Sequence, residues 1–203
     1  MKLYYSKGAC SLAIRIIIHE IGVTSEFEAV NLKNKTTEAG ENYLLINPKG
    51  AVPALMTADN ELLTENLVIQ LYLAEKYKAT NLLPTADNFK RYRVLEWLNY
   101  ISTDVHKSFG PLFNPNVSEE MKETVFIPLL RNKLVFINDH LINKNYLLND
   151  QFTLPDAYLF VVLRWVATFK IDLAKFENLS RYVTVLANRE SIVLSLQEEG
   201  LKK

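Results

Sequence analysis

The chain has 203 residues, enough to form one domain or two small ones, and 49% of them are hydrophobic, enough to bury a core. Its 23 lysine and arginine residues balance 23 aspartate and glutamate residues, so the net charge predicts no nucleic-acid partner. No apolar run approaches a membrane span and the first residues show no leader peptide, so we expect a cytoplasmic protein without a membrane partner. The one cysteine, Cys10, cannot form an internal disulfide, which fits a reducing compartment.

The first 78 residues predict an α/β domain. Residues 2–5 have strand composition, a turn through Gly8 follows, and an apolar helix over 12–21 ends at Gly22. Alternation over 27–31 predicts a second strand, parallel to the first through a right-handed crossover. The further predicted elements are a weak helix over 38–45, a hairpin of strands 54–56 and 62–64, and a helix over 67–78.

The second half of the chain predicts helices only. Residues 79–88 are polar, contain a proline and have no period, so we place a linker there and an all-helical domain over 89–203. The first helix of that domain carries an apolar stripe and is predicted to end at Gly110-Pro111. The other predicted features are a cap at Ser118, a kink at Pro128, a capping box of Thr153 and Asp156 opening a helix through Phe169, and two short helices over 179–189 and 191–199.

Cys10 stands at the turn where the first predicted strand meets the first helix. A lone cysteine is most often an inert core residue. At a helix start, however, unpaired backbone N–H groups and the positive end of the helix dipole favour the thiolate over the thiol. We therefore predict a reactive thiol that attacks a disulfide or an electrophile, or pairs with a small thiol ligand, since there is no Cys-x-x-Cys partner.

Two other places in the first domain suit a ligand with peptide character. A cis Val52-Pro53 bond would leave the Val52 backbone open to an extended ligand, although spacing alone favours an ordinary trans proline. Glu65 and Asn66 open a helix, where backbone N–H groups bind a carboxylate and the Glu65 side chain binds an ammonium. The alternative at this position is simple helix capping.

One polar face of the first C-terminal helix is a further candidate site. Asn99, Thr103 and His106 follow at spacings of four and three, so they share a helix face that is otherwise expected to be solvated. His106 is a candidate general base or thiolate partner because an unperturbed histidine titrates near neutrality. No spacing typical of a metal site, phosphate loop or dinucleotide fingerprint occurs, so we predict no metal.

Taken together, these segments resemble a bacterial glutathione S-transferase of the beta class over essentially the whole chain. The segments that carry the resemblance are residues 5–12 (YSKGACSL), 47–55 (NPKGAVPAL), 63–66 (LTEN), His106-Lys107 after Trp97, and 152–158 (FTLPDAY). The resemblance implies a thioredoxin-like N-terminal domain, an all-α C-terminal domain, a homodimer and glutathione as co-substrate.

The same resemblance implies roles for individual residues. Pro53 would be cis, Val52 would pair with the cysteinyl part of glutathione, and Cys10 would lie beside the glutathione sulfur. Glu65 and Asn66 would bind the γ-glutamyl end and Lys35 the glycine end. The C-terminal domain would contribute further contacts, some across the dimer, from Asn99, Thr103, Asp104, Val105, His106 and Lys107. The pocket for the electrophile would be formed by Phe109, Phe113 and Trp165.

We therefore predict a transferase that conjugates the glutathione thiolate to hydrophobic electrophiles, with Cys10 and His106 as its catalytic residues. Two alternatives stay open: a glutathione-dependent disulfide reductase or peroxidase acting through Cys10, and a non-catalytic stress-regulatory module of the same fold. Tyr5 is of the residue type that other transferase classes use to hydrogen-bond the thiolate, so it competes with Cys10 for that role.

Overall fold

The computed structural model describes residues 1–149 and 151–202, which form two compact units. The first unit is Met1–Leu83 together with the chain from Asn188 onward, and the second is Pro84–Ala187. The segment after Asn188 therefore packs with the α/β unit, whereas its sequence predicts that it belongs to an all-helical domain over 89–203. The physical reason is that the first helix is buried over all of Leu12–Ile18, more than one face, and needs a second covering helix.

The first unit contains a mixed sheet and helices that cover it. Its elements are β1 (Lys2–Tyr5), α1 (Leu12–Ile21), β2 (Glu26–Asn31), β3 (Thr36–Thr37), α2 (Tyr43–Ile46), β4 (Ala54–Met56), β5 (Leu62–Thr64), α3 (Asn66–Lys76) and, after the second unit, α10 (Glu190–Glu198). Among the described residues the sheet order is β3-β2-β1-β4-β5. β2 pairs parallel with β1, and the remaining pairs are antiparallel.

Local sequence explains the opening β1–α1–β2 unit. Gly22 ends α1 in the left-handed region at φ 73°, and its N–H bonds the carbonyls of Ile18 and His19. The predicted bounds of β1 and α1, the parallel β1–β2 pair and the β4–β5 hairpin are confirmed. The predicted helix over 38–45 is confirmed only at its end: Thr37 still pairs with β2, and α2 begins at Tyr43, capped by Asn42.

The helices and helical segments described in the second unit follow one another from Lys90 to Ala187. Its elements are α4 (Lys90–Tyr100), a π-helical segment (Ile101–His106), α5 (Gly110–Phe113), α6 (Glu119–Met121), a second π-helical segment (Lys122–Phe126), α7 (Ile127–His140), α8 (Leu154–Arg164), two 3₁₀ segments (Trp165–Phe169 and Leu173–Lys175) and α9 (Glu177–Ala187). Gly110 and Pro111 begin α5 instead of ending the helical path, since a proline lacks only an N–H that the first turn leaves unpaired anyway. Pro128 likewise lies in the first turn of α7, just after the second π-helical segment.

Helix α8 is the centre of this unit, with every residue from Leu154 to Leu163 buried. The predicted capping box at its start is present: Asp156 Oδ2 accepts from the backbone N–H and the hydroxyl of Thr153 at 2.8 and 2.9 Å. Its other oxygen accepts from the Leu147 N–H and the Tyr182 hydroxyl, both at 2.9 Å. Burial raises the pKa of Asp156 to about 6, against the opposing effect of these donors.

Within the described ranges, no helix is both long and apolar enough to cross a membrane.

Candidate functional site

Cys10 lies on the turn between β1 and α1, buried with 9% of its surface exposed. Its Sγ is 3.4 Å from the carbonyl oxygen of Val52. Ser11 closes the turn from inside, since its hydroxyl accepts from the Ser6 N–H at 3.2 Å and lies 3.3 Å from the Ser6 carbonyl oxygen. The cysteine is thus held at a fixed place at the start of α1.

The start of α3 holds the same turn from another side. Asn66 is buried, and its amide donates to the Cys10 carbonyl oxygen at 2.7 Å. Gln70, one helical turn later and fully buried, donates to the Asn66 side-chain oxygen at 2.6 Å. The Asn66 side chain therefore supports Cys10, while its backbone N–H at the helix start is the group that suits a ligand carboxylate.

Val52 and Pro53 are joined by a cis peptide bond. Spacing alone favoured trans, so that expectation is wrong, and the implication of the family resemblance is confirmed. The preceding loop is fixed at the Ala51 carbonyl oxygen, which accepts from the Tyr43 hydroxyl and the Asn47 amide, both at 2.8 Å. Val52 itself is half-buried and follows this anchored residue directly.

Glu65 connects β5 to α3 with a φ of 73°, in the left-handed region that a residue with a Cβ rarely adopts. Such a conformation costs about 1–3 kcal/mol and is typical of binding and catalytic sites. The Glu65 carboxylate is exposed and lies 2.5 Å from the Lys49 ammonium. Lys35, also at positive φ, donates to the Gly50 carbonyl oxygen at 2.7 Å. Glu65 and Lys35, the two charged side chains predicted to bind a ligand in the first unit, thus each have a partner within the protein.

Tyr5 is adjacent to the Cys10 turn in sequence, and its ring lies on the Arg15 guanidinium, 4.4 Å from carbon to ring centroid. The Phe27 ring packs on the same guanidinium, with its centroid 3.8 Å from the guanidinium carbon. A role for Tyr5 toward a ligand thiolate stays a prediction.

His106 is the last residue of the first π-helical segment, a kind of helical insertion that is frequent at functional sites. Its Nδ1 lies 2.6 Å from the Tyr158 hydroxyl, and its ring meets Trp165 edge-on with centroids 4.9 Å apart. Burial, with a smaller effect of the Lys107 charge, lowers the pKa of His106 to about 4. The imidazole is therefore neutral near pH 7.

The predicted electrophile-pocket residues form one aromatic cluster in the second unit. Phe109 is buried and packs edge-on against Trp165, with centroids 5.5 Å apart. Phe113 is 52% exposed and meets the same Trp165 at 5.7 Å. Phe169, from the 3₁₀ segment after α8, joins both phenylalanines at 6.0 and 4.9 Å. These rings, with His106, present an apolar surface that is partly open.

The other predicted residues of the second unit are spread around the same helix. Asn99 and Thr103 are exposed, and the Thr103 hydroxyl bonds the Asn99 carbonyl oxygen and the Asp104 carboxylate. Asp104 also pairs with Lys133 at 3.1 Å, and the Thr103 and Lys133 contacts lower its pKa. Val105 is fully buried, so its side chain belongs to the core, while Lys107 is exposed.

The structure thus brings the predicted residues together in two groups, one in each unit. Sequence reasoning missed Lys49, Gln70, Tyr158 and Phe169, although each stands near a predicted residue. Gln70 follows Asn66 by one helical turn and Phe169 follows Trp165 by four residues, so helical spacing could have found these two. Lys49 and Tyr158 contact predicted residues that lie in other elements, and spacing along the sequence does not indicate such contacts.

The described part of the chain holds no group of three or more histidine, cysteine, aspartate or glutamate side chains arranged for a metal ion.

Comparison with known proteins gives matches over both units. Residues 1–75 match the family model of the glutathione S-transferase N-terminal domain, and residues 100–190 match that of the C-terminal domain. The chain is 42% identical over 202 residues to glutathione S-transferase GstA of Escherichia coli O157:H7, with 100% of each chain covered.

Solved structures of glutathione S-transferases are also similar to this chain over its full length. A sphingomonad glutathione S-transferase complexed with glutathione is 39% identical, with a TM-score of 0.94 and all of both chains covered. A beta-class glutathione S-transferase of Sphingomonas chungbukensis is 37% identical, with a TM-score of 0.95 and all of both chains covered. The thioredoxin-like first unit, the helical second unit and the full-length relatives lead to one conclusion: the chain belongs to the glutathione S-transferase family.

Proposed function

We propose that this protein binds glutathione in its first unit and transfers the glutathione thiolate to hydrophobic electrophiles. The observation that carries the proposal is the position of Cys10, whose Sγ lies 3.4 Å from the Val52 carbonyl beside the cis Val52–Pro53 bond. A peptide-like thiol that pairs with the Val52 backbone would have its own sulfur next to Cys10. The name of the 42% identical relative and the glutathione complex of the sphingomonad enzyme support this ligand.

The ligand ends would be bound by charged and backbone groups around this thiol. Lys35 takes the glycine carboxylate, the Glu65 carboxylate takes the γ-glutamyl ammonium, and the Asn66 backbone N–H takes the γ-glutamyl carboxylate. The strained φ of Glu65 supports its role, since strain of this kind is retained where the surroundings fix a functional group. Glu65 pairs with Lys49, so a ligand ammonium at Glu65 would displace Lys49.

The aromatic cluster of Phe109, Phe113 and Trp165 would hold the electrophile. Apolar rings with one polar neighbour are typical of small-molecule sites, and here the polar neighbour is the neutral His106. His106 would then act as a hydrogen-bonding partner of the reacting thiol, not as a cation. The glutathione contacts of Asn99, Thr103, Asp104, Val105, His106 and Lys107, some across a homodimer, belong to the same proposal.

A second function is favoured by the position of the Cys10 thiol beside the Val52 backbone, where the proposed ligand binds. The Cys10 thiolate would attack a mixed disulfide of glutathione, forming a Cys10–glutathione disulfide and releasing the other thiolate. A second glutathione thiolate would then attack this disulfide, releasing oxidised glutathione and restoring Cys10. The step needs no resolving cysteine, which suits a chain with one cysteine.

One experiment separates these functions. The purified protein is incubated with glutathione plus an aromatic chloride, and separately with glutathione plus a glutathione mixed disulfide. Faster conjugation supports the transferase, and faster reduction supports the disulfide reductase. Absence of glutathione binding by calorimetry would refute both and leave the non-catalytic module of the same fold.

We also propose a homodimer in the cytoplasm. The second unit has a surface cavity of about 440 Å³ lined by Trp97, Tyr100, Phe136, His140, Arg93 and Glu96, with Phe136 half exposed, an apolar surface of the kind that subunit contacts cover. Sedimentation equilibrium tests the dimer: a mass near 23.3 kDa at micromolar concentration would refute it.

A further inference from the structure

Glu199 is a buried acid in the first unit for which the proposed function gives no role. Its side chain is 0% exposed, and it directly follows α10. One carboxylate oxygen lies 3.2 Å from the Arg15 Nε, and Arg15 also pairs with Glu198 at 2.8 Å. A buried carboxylate is costly unless it is paired and hydrogen-bonded. Arg15 provides a partner for only one of the two Glu199 carboxylate oxygens.

The other carboxylate oxygen of Glu199 accepts a hydrogen bond from the Gly8 backbone N–H at 2.8 Å. Gly8 is the middle of the turn that carries Cys10 and has a φ of 71°. Side chains of the two segments also reach across, because a Cβ at Gly8 would lie 3.7 Å from the Leu201 side chain and a Cβ at Gly200 would lie 3.3 Å from the Lys7 ammonium. The segment after α10 is thus packed directly on the Cys10 turn.

Other contacts of the turn come from elements already described. The Asn66 amide bonds the Cys10 carbonyl oxygen, and the Ser11 hydroxyl bonds the Ser6 N–H. Glu199 adds a third hydrogen bond, to the Gly8 N–H. A hydrogen bond from a backbone amide to a carboxylate is roughly twice as strong as a neutral one.

We propose that Glu199 is a positioning residue for Cys10, which fixes the turn through the Gly8 amide and so sets the thiol beside the Val52 carbonyl. The proposal rests on the proposed glutathione chemistry for its effect on turnover. It assigns a function to the last helix: α10 brings Glu199 to the catalytic turn from more than 180 residues away in sequence.

Two changes have to be separated, the loss of the Gly8 hydrogen bond and the loss of the buried charge. Glu199→Asp keeps the charge beside Arg15 but shortens the side chain by one methylene, so it no longer reaches both partners. The double variant Arg15→Met with Glu199→Gln removes both charges but keeps an amide oxygen that accepts from the Gly8 N–H. Only the first variant should affect Cys10.

The matched control is Glu20→Asp. Glu20 pairs with Arg189 at 2.5 and 2.7 Å and accepts from the Ser191 hydroxyl, so it joins the same two parts of the fold. It lies near the other end of α1, roughly 12 Å along the helix axis from its start. Shortening Glu20 weakens the packing of α10 without touching the turn.

The measurements are turnover and Michaelis constant with glutathione, alkylation of Cys10 by iodoacetamide, and thermal unfolding. For Glu199→Asp we expect turnover to fall about 10-fold, the scale of one charge-assisted hydrogen bond, with little change in the Michaelis constant. Cys10 alkylation should become faster by a similar factor, because a loosened turn exposes the buried thiol. Glu20→Asp and the double variant should leave both rates within about threefold of wild type.

The proposal is overturned if Glu199→Asp and Glu20→Asp change turnover and alkylation alike, since that would be a stability effect only. It is also overturned if the double variant loses as much turnover as Glu199→Asp, because the charge and not the Gly8 bond would then matter. If the wild-type protein neither conjugates nor reduces, the proposed function fails, while the alkylation rates still decide the role of Glu199.

Discussion

The Sγ of Cys10 lies 3.4 Å from the carbonyl oxygen of Val52, the residue whose peptide bond to Pro53 is cis. A carbonyl oxygen has two lone pairs, so Val52 can accept from the thiol and from a ligand amide at once. The thiol therefore need not leave for a peptide-like ligand to bind. The contribution of Cys10 to ligand affinity can therefore be measured separately from its contribution to the reaction.

We accordingly predict that Cys10→Ala weakens glutathione affinity by no more than about threefold, the scale of one neutral hydrogen bond. Disulfide reduction should fall by at least about 100-fold, because the nucleophile is gone. Calorimetric titration and a mixed-disulfide assay measure the two effects. Cys10→Ser is the control that keeps a hydroxyl donor near Val52. A collapse of affinity equal to the loss of reduction would make Cys10 a binding residue.

The Lys49–Glu65 ion pair gives the second prediction. Both side chains are more than half exposed, so the pair contributes at most about 1 kcal/mol, yet a ligand ammonium at Glu65 has to displace it. Lys49→Met should tighten glutathione binding by about two- to fivefold on that scale. Lys35→Met, a matched removal of a lysine, should weaken binding. If Lys49→Met weakens binding as much as Lys35→Met, Lys49 itself holds a ligand carboxylate.

The third prediction compares two half-exposed phenylalanines of the second unit, Phe113 at 52% and Phe136 at 55%. Phe113 belongs to the cluster around Trp165, whereas Phe136 stacks on Trp97. Phe113→Ser should lower kcat/KM for an aromatic electrophile by about 10-fold, through loss of apolar and ring contact, without changing glutathione affinity. Phe136→Ser should leave kcat/KM unchanged in samples whose subunit assembly sedimentation shows to be the same as that of the wild type. Equal losses in both variants would remove the cluster as the electrophile site.

Several parts of this fold could be predicted from the sequence because their signals are local. Gly22 ends α1, the alternation in β2 sets its pairing, and Thr153 with Asp156 caps α8, each within a few residues. The family resemblance added the cis bond at Pro53, which spacing does not indicate. A resemblance carries such information because it rests on several segments at once.

The rest depends on contacts between distant residues or on backbone states without a residue signature. Glu65 has a positive φ although it carries a Cβ, and the π-helical turn before His106 has no composition that marks it. The Asn66 backbone N–H is the group predicted to bind the ligand, and no local pattern indicates that its side chain bonds the Cys10 carbonyl oxygen, 56 residues away. Glu199 meets Gly8 only because α10 returns to the first unit.

His106 gives a prediction about pH. Its pKa is lowered from 6.5 to about 4, mainly by burial, so the folded state binds fewer protons than the unfolded state between these values. The stability due to neutral His106 is complete above pH 6.5 and is lost as the pH falls toward 4, by roughly 2–3 kcal/mol. Its ring proton shift should not titrate above about pH 5, which NMR can follow; a midpoint near 6.5 would contradict the burial argument.

His106→Gln is the matching variant for unfolding experiments. A glutamine has no charge to gain, so its stability should lose the pH dependence between 6.5 and 4 that His106 contributes. If the wild type and the variant lose stability in parallel over this range, other groups cause the dependence.

The last prediction concerns two helix caps of the second unit that differ in burial. Asp156 is fully buried and accepts four hydrogen bonds at the start of α8, while Ser118 caps the exposed helix α6 through one contact to the Met121 N–H at 3.3 Å. Asp156→Ala leaves buried donors at Leu147, Thr153 and Tyr182 without an acceptor, so the free energy of unfolding should fall by about 3–5 kcal/mol. Ser118→Ala should cost about 0.5–1 kcal/mol, the value of an ordinary exposed cap. Urea unfolding monitored by tryptophan fluorescence gives both numbers, and similar losses in the two variants would show that the buried network adds nothing to simple capping.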